Sequence, residues 1–367
     1  MSLVVVVSNA AVPLPVNAAL ESLGFDVVCA DSVKLAVELC TRRQALLVVT
    51  DSSAFAQMLA AEERRVPIVA CLTEALDADQ LLSLWRAGVA DYWYWPRDSS
   101  EVGARVALLN HRREAVALEA EQTLANHLVE VQRDQRAGRY VQMGMLPPSP
   151  MAIDGYRFEH RVQPSLILSG DFVDYFAITD QHFACYVADV SGHGASSAFV
   201  TVLLKNFSRR IRREYRRSML TDPGEVLSWL NAELLEQQID KHVAIFFAIC
   251  DTGSNVLHYV NAGQFPPAIL VGNERTRTLD EPGKPVGLFS DIEYTTAKLV
   301  MHPGERLVVF TDGVLETAEG EDLMAKEANI VAQATEQPTL TALWSQLGLE
   351  SQVSPDDVTA LMVTRES

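Results

Sequence analysis

The 367-residue sequence has no long apolar run. At its N-terminus the unbroken stretch Leu3 to Val7 is far too short to span a bilayer, no positively charged region precedes it, and no long apolar segment follows. Neither a membrane span nor a signal peptide is expected, and the chain reads as cytoplasmic. Cysteine is sparse: Cys29, Cys40, Cys71, Cys185 and Cys250 stand singly without a CxxC pair, which indicates neither a zinc site nor a disulfide framework. Positive charge is scarce as well, with 30 basic residues against 48 acidic ones and a formal net charge of -18. A surface of that sign repels DNA and anionic lipid, so neither a nucleic acid nor a membrane is expected as a partner. No glycine loop of the kind that cradles phosphate precedes a helix, which argues against a nucleotide-binding signalling domain. Internal repeats and low-complexity tracts are absent.

What is present divides into three parts. From residue 1 to 109, short apolar runs (Leu3 to Val7, Phe25 to Cys29, Leu46 to Thr50, Ile68 to Leu72, Tyr92 to Trp95) alternate with amphipathic stretches. This alternation predicts a doubly wound α/β domain with a parallel sheet. Residues 110–147 form a helical linker, proline-free from Asn110 to Met145 and stopped by "LPPSP". Ala117, Leu124 and Val131 recur every seven residues with Leu128 between the last two, the spacing of a coiled-coil seam and hence of a possible homodimer. A single helix packed on its own domains fits the pattern equally well. Residues 148–367 carry runs of strands interrupted by two helices, the first expected over Ala195 to Arg217, which predicts an α+β sandwich of two sheets flanked by helices.

Two surface features stand out. Lys205, Arg209, Arg210, Arg212, Arg213, Arg216 and Arg217 fall within thirteen residues of an otherwise acidic chain. They make either a solvated helix face or a docking surface for an acidic partner. Trp93, Tyr94 and Trp95 are adjacent, and three consecutive aromatics on a strand cannot all face one core. They are either packed within the domain or form an exposed contact surface for a regulator, and the contact surface is the expectation.

The chemistry lies in the aspartates of the last part. Asp171 in "SGDF", Asp189 in "VADVSGHG", Asp312 in "VVFTDG" and the pair Asp356–Asp357 in "SPDDVTALMV" each fall at or beside a strand end, with Asp174 three residues after the first. Converging carboxylates repel one another unless cations sit between them. Oxygen ligands without a partnering His or Cys point to Mg²⁺ or Mn²⁺ rather than zinc.

The strings "SGDFVDYF", "ADVSGHGASSAFVTVLLKN", "YVNAGQFPPAIL", "VGLF", "GERLVVFTDGVLETA" and "DDVTALMV", in that order, resemble the SpoIIE/RsbU branch of the type 2C metal-dependent serine/threonine phosphatases over Met145 to Arg365. "RDQRAGRYVQMGMLP" resembles the segment preceding that domain in RsbU-like and RssB-like regulators. The resemblance implies two metal ions, with Asp171, Asp189, Asp312 and Asp356 as ligands joined by the Val190 carbonyl. His193, the histidine of "GHG", would shape its loop or donate a proton to the leaving alcohol. It further implies hydrolysis of phosphoserine or phosphothreonine on a partner protein, typically an anti-sigma-factor antagonist in a partner-switching pathway. A pseudo-phosphatase adaptor is the alternative, but an adaptor would be free to lose the acidic set, and all four positions are filled. One position departs from the pattern: Gln264 stands where the family commonly has histidine. The first hundred residues resemble a response-regulator receiver with poor motifs. Ser8–Asn9 replaces the acidic pair, Asp51 (or, with the alignment shifted by one, Thr50) matches the phospho-acceptor, and Trp95 replaces the lysine, so control without phosphorylation is expected.

Overall fold

The computed structural model describes residues 2–8, 15–62, 66–192, 194–272, 274–350 and 354–366. Two compact units divide at His127/Leu128. In the first, β1 (Leu3–Val7), α1 (Pro15–Ser22), β2 (Asp26–Ala30), α2 (Val33–Arg43), β3 (Leu47–Thr50), α3 (Ser53–Glu62), β4 (Ile68–Leu72), α4 (Ala78–Ala87) and β5 (Asp91–Tyr94) alternate. Helix α5 (Val102–Met145) follows. The strands pair in parallel in the order β2-β1-β3-β4-β5, the doubly wound order of receiver-type domains. Both faces of this sheet are covered, which is why β1 reads as an unbroken run of buried "LVVVV". Val5 and Val7 join one core, Val4 and Val6 the other.

The same two-sidedness corrects the expected aromatic contact surface. Trp93 is 0% exposed, packed among Val4, Val6, Val16 and Val102, and its Nε1 donates to Asp91 at 2.9 Å. Tyr92 and Tyr94 alternate to the opposite face and pack against the other core. Trp95 is half-buried beside the first. A strand covered on both sides needs no partner to hide aromatics on each. At the strand ends, Ser8 donates to Asp51 at 2.7 Å; Asn9 lies outside the described residues.

The second unit contains β6 (Met151–Ile153), β7 (Tyr156–Gln163), β8 (Phe172–Thr179), β9 (His182–Val190), α6 (Ala195–Glu214), α7 (Pro223–Glu236), β10 (Val243–Asp251) and β11 (Val256–Ala262). Then come β12 (Ala268–Val271), β13 (Thr276–Leu279), β14 (Ala297–Val300), β15 (Arg306–Phe310), α8 (Val314–Thr317), α9 (Leu323–Glu336), α10 (Leu340–Gln346) and β16 (Val358–Arg365). Two antiparallel sheets form, β14-β11-β10-β9-β8 and β13-β12-β15-β16-β7-β6. Phe158, Tyr175, Phe183, Phe246 and Leu361 fill the space between them. Helices α6 and α7 cover the outer face of the first sheet and α8 to α10 that of the second.

Strands β12 to β14 and helices α9 and α10 go beyond the sequence expectation. The strands are four residues each, too short for periodicity to speak. Helix α6 stops at Glu214 rather than reaching Arg217, because Tyr215 turns extended and a 3₁₀ turn occupies Arg217–Leu220.

Candidate active site

The two sheets meet at an edge where four of the aspartates are placed. Asp171 immediately precedes β8 and Asp189 is the penultimate residue of β9. Asp312 follows β15 by two residues, and Asp356 precedes β16 by two. A threonine joins the sheets: Thr311 Oγ1 donates to Asp171 Oδ2 at 2.7 Å while accepting from the Thr359 N–H at 2.7 Å. Two glycines allow the close approach. A Cβ on Gly313 would lie 2.1 Å from the Asp357 carbonyl oxygen, and one on Gly170 would lie 3.0 Å from the Val190 carbonyl oxygen. The Val190 carbonyl is thus beside the Asp171 loop. Asp312 and Asp356 line one cavity of about 390 Å³ together with Phe265, Glu316 and Lys326.

The electrostatics are those of uncompensated negative charge. Burial and then Asp189 push the Asp171 carboxyl well above the usual carboxylate range, despite the Thr311 hydrogen bond. Burial, followed by repulsion from Asp312, Asp356 and Asp357, raises Asp189 to about 7. Asp312 is raised by burial and by Asp356. Among the described residues, no three acidic, imidazole or thiol groups converge into a closed ligand shell. Mg²⁺ and similar hard cations do not need one, since they keep several waters and take one or two carboxylates each. The donor set, hard carboxylate oxygens buried and crowded enough to raise Asp171, Asp189 and Asp312, fits such ions.

The neighbouring acids behave differently. Asp174 is 1% exposed and turned toward α6, where both its oxygens accept from Lys205 at 3.0 Å. Asp357 also faces inward. Its Oδ1 accepts from the Ser165 N–H and hydroxyl, and its Oδ2 from Ser169 Oγ and the Gly170 N–H. Of the sequence pair, Asp356 therefore lines the cavity and Asp357 supports the loop. His193 lies outside the described residues. Gln264 is buried, and its amide donates to the Phe310 carbonyl at 2.6 Å, tying down the end of β15 ahead of Asp312; its Oε1 has no hydrogen-bond partner. Thr311 was not apparent as a site residue from the sequence pattern, in which a threonine before an Asp-Gly turn looks ordinary.

The family profile described as Stage II sporulation protein E (SpoIIE) matches residues 179–366, just over half of the chain. The chain belongs to the SpoIIE family. The matched span includes Asp189, Asp312 and Asp356, while Asp171 lies just ahead of it. The chain is 27% identical over 195 residues to the phosphoserine phosphatase RsbP of Bacillus subtilis (strain 168), covering 51% of this chain and 46% of RsbP. It is 27% identical over 202 residues to protein IcfG of Synechocystis sp. (strain ATCC 27184 / PCC 6803 / Kazusa), covering 49% of this chain and 32% of IcfG. The chain thus spans about a third to a half of the length of these curated relatives. The SiaA-PP2C domain of Pseudomonas aeruginosa superposes with a TM-score of 0.55 at 18% identity, covering 66% of this chain and 100% of that domain, a likeness of fold.

The basic segment is only partly free. Lys205 is paired with Asp174, Arg210 with Glu233 and Arg216 with Glu225, and Arg212 lies over the Phe176 ring at 5.2 Å. Arg209, Arg213 and Arg217 are exposed.

Proposed function

We propose that this SpoIIE-family chain hydrolyses phosphoserine or phosphothreonine on a partner protein in the presence of Mg²⁺ or Mn²⁺. The observation that carries this is Asp189, a carboxyl raised to about 7 by its burial and by three neighbouring aspartates. Such crowding is costly unless divalent cations neutralise it. Asp171, Asp189, Asp312, Asp356 and the Val190 carbonyl would hold two ions. When bound, these supply an activated water nucleophile and neutralise charge on the phosphoryl oxygens.

The protein's own groups do the rest. Thr311 orients the Asp171 carboxylate by donating to one oxygen, which leaves the other for a ligand. The open cavity beside Asp312 and Asp356 admits a phosphorylated side chain, with Phe265 as an apolar wall. His193 would shape the "GHG" loop or donate a proton to the leaving alcohol. Gln264 cannot titrate, and its hydrogen bond to Phe310 supports a positional role.

The name of RsbP supports a phosphoserine substrate, and an anti-sigma-factor antagonist is the kind of partner we infer. We further assign residues 1–109 to a receiver-like regulatory domain, 110–147 to a linker and 148–367 to the phosphatase. The exposure of Leu124, Leu128 and Val131 on α5 supports a homodimer through the linker. The test is hydrolysis of a small phosphate ester and of a phosphoserine protein in Mn²⁺. Turnover should vanish in chelator and in Asp312→Asn. Full activity in either would refute the proposal.

A further inference from the structure

The cavity beside Asp312 and Asp356 is walled by acid. Glu316, Glu321 and Asp322 line it with those two aspartates, and among its described lining residues Lys326 is the one cation. A phosphoserine side chain brings a charge of about −1.5 to −2 against this wall. Divalent ions would neutralise Asp312 and Asp356 but leave Glu316, Glu321 and Asp322 unanswered.

The fold holds Lys326 in a confined pose. Helix α9 opens on Asp322, whose side chain accepts from the Ala325 N–H at 2.8 Å and whose carbonyl accepts from the Lys326 N–H at 3.0 Å. Lys326 therefore stands one turn into the helix. The loop from α8 crosses over its stem: a Cβ on Gly320 would lie 2.6 Å from the Lys326 nitrogen and 3.0 Å from its Cγ. The residue is half-buried, and its Nζ donates to the Leu315 carbonyl at 2.7 Å. That carbonyl belongs to α8, a helix of four residues whose last carbonyls have no partners within it.

An ammonium has three N–H groups, and the Leu315 carbonyl takes one. Lys326 pairs with no carboxylate among the described residues, although acids line the same cavity. If it only tied α8 to α9, a glutamine amide would do so without half-burying a charge. A lysine in contact with a carboxylate is already neutralised, whereas one held by a carbonyl keeps its charge for a ligand. We propose that Lys326 is a substrate-binding residue: its remaining N–H groups donate to the phosphoryl oxygens of the phosphorylated side chain and, after hydrolysis, to the released phosphate. This rests on the phosphatase reading above and names how that site recognises its phosphoryl group. Lysine suits the task as a compact point charge with several donors. The contact is shared by bound ester and bound product, so it contributes to binding rather than to the chemical step.

The experiment uses the full chain at saturating Mg²⁺. It reads the Kd for inorganic phosphate by calorimetry, and kcat and KM for para-nitrophenyl phosphate. Lys326→Gln keeps a donor for the Leu315 carbonyl and removes the charge, whereas Lys326→Arg keeps the charge. A hydrogen bond to a charged group is worth about 10- to 100-fold in binding. Lys326→Gln should therefore raise the phosphate Kd and the KM together by at least about 10-fold, with kcat within about 2-fold of the parent. Lys326→Arg should keep both within about 3-fold. The Mg²⁺ concentration for half-maximal activity should stay unchanged in each variant, because the lysine touches the phosphoryl group and not the metal-binding acids.

A phosphate Kd and KM within about 2-fold of the parent in Lys326→Gln would reduce the lysine to a tie between helices and overturn the proposal. So would a rise matched by an equal loss of Mg²⁺ affinity, or an equal rise in Lys326→Arg, since neither is the signature of a lost charge. Failure of both variants to fold, judged by circular dichroism, would assign Lys326 to stability alone and overturn it too. A parent chain without turnover in Mg²⁺ or Mn²⁺ would overturn the phosphatase reading, and this proposal with it. Parent turnover that Asp312→Asn abolishes, beside unchanged phosphate binding in Lys326→Gln, would overturn only the role of the lysine.

Discussion

Replacing Asp189 by asparagine should stabilise the metal-free protein and destabilise the metal-loaded one relative to the parent. Burial, then Asp312, Asp356 and Asp357, push this carboxyl to about 7, against about 3.9 for an unperturbed aspartate. The native state therefore holds the proton more tightly than the unfolded chain. Its contribution is fully present below the unfolded value and is lost as pH rises through about 7. The full difference corresponds to roughly 4 kcal/mol, and solvent screening of a half-buried group reduces it to about 2 kcal/mol. Asparagine cannot ionise and escapes the loss.

In chelator at pH 8, Asp189→Asn should thus be about 2 kcal/mol more stable, or about 4–8 °C in Tm for a unit of this size. At pH 5 the difference should shrink to about a third, and it should close only below the unfolded value of about 3.9. Adding Mn²⁺ at a hundred times its Kd should stabilise the parent by about 2.7 kcal/mol and the variant by much less, reversing the order. Urea unfolding at both pH values, with chelator and with Mn²⁺, measures all four terms. A variant less stable than the parent in chelator at pH 8 would refute the reasoning, and so would an equal gain from Mn²⁺ in both proteins.

Other outcomes follow from particular residues. Trp93→Ala should cost about 3–5 kcal/mol of stability in the first unit, as expected for a fully buried aromatic; a loss below about 1 kcal/mol would return Trp93 to the surface. Reversing exposed Arg209 and Arg213 to glutamate should raise KM for an acidic phosphoprotein while sparing a small ester, and equal effects on both substrates would argue against docking there. Incubation with a small phosphodonor and Mg²⁺ should give no phosphoryl adduct on Asp51, because Ser8 replaces a metal-binding carboxylate and instead donates to Asp51; a stoichiometric adduct seen by mass spectrometry would refute this.

Much of the molecule was written in local order. Apolar runs separated by amphipathic stretches specified the parallel sheet, because burial on both faces leaves no room for alternation. The ordered motifs around Asp171, Asp189, Asp312 and Asp356 pointed to one chemistry, because a strand end is the place where rigid backbone meets an open edge. What the chain could not say by itself was which way neighbouring side chains turn. Asp356 and Asp357 are adjacent, yet one lines the cavity and the other is enclosed by Ser165, Ser169 and Gly170. Trp93 and Tyr94 are adjacent, yet they enter different cores. Gln142 looks like any polar residue of a linker helix until Ser169, 27 positions away, closes on its amide. Successive residues of extended backbone point to opposite sides, and only the neighbours brought in from distant segments determine what each side meets.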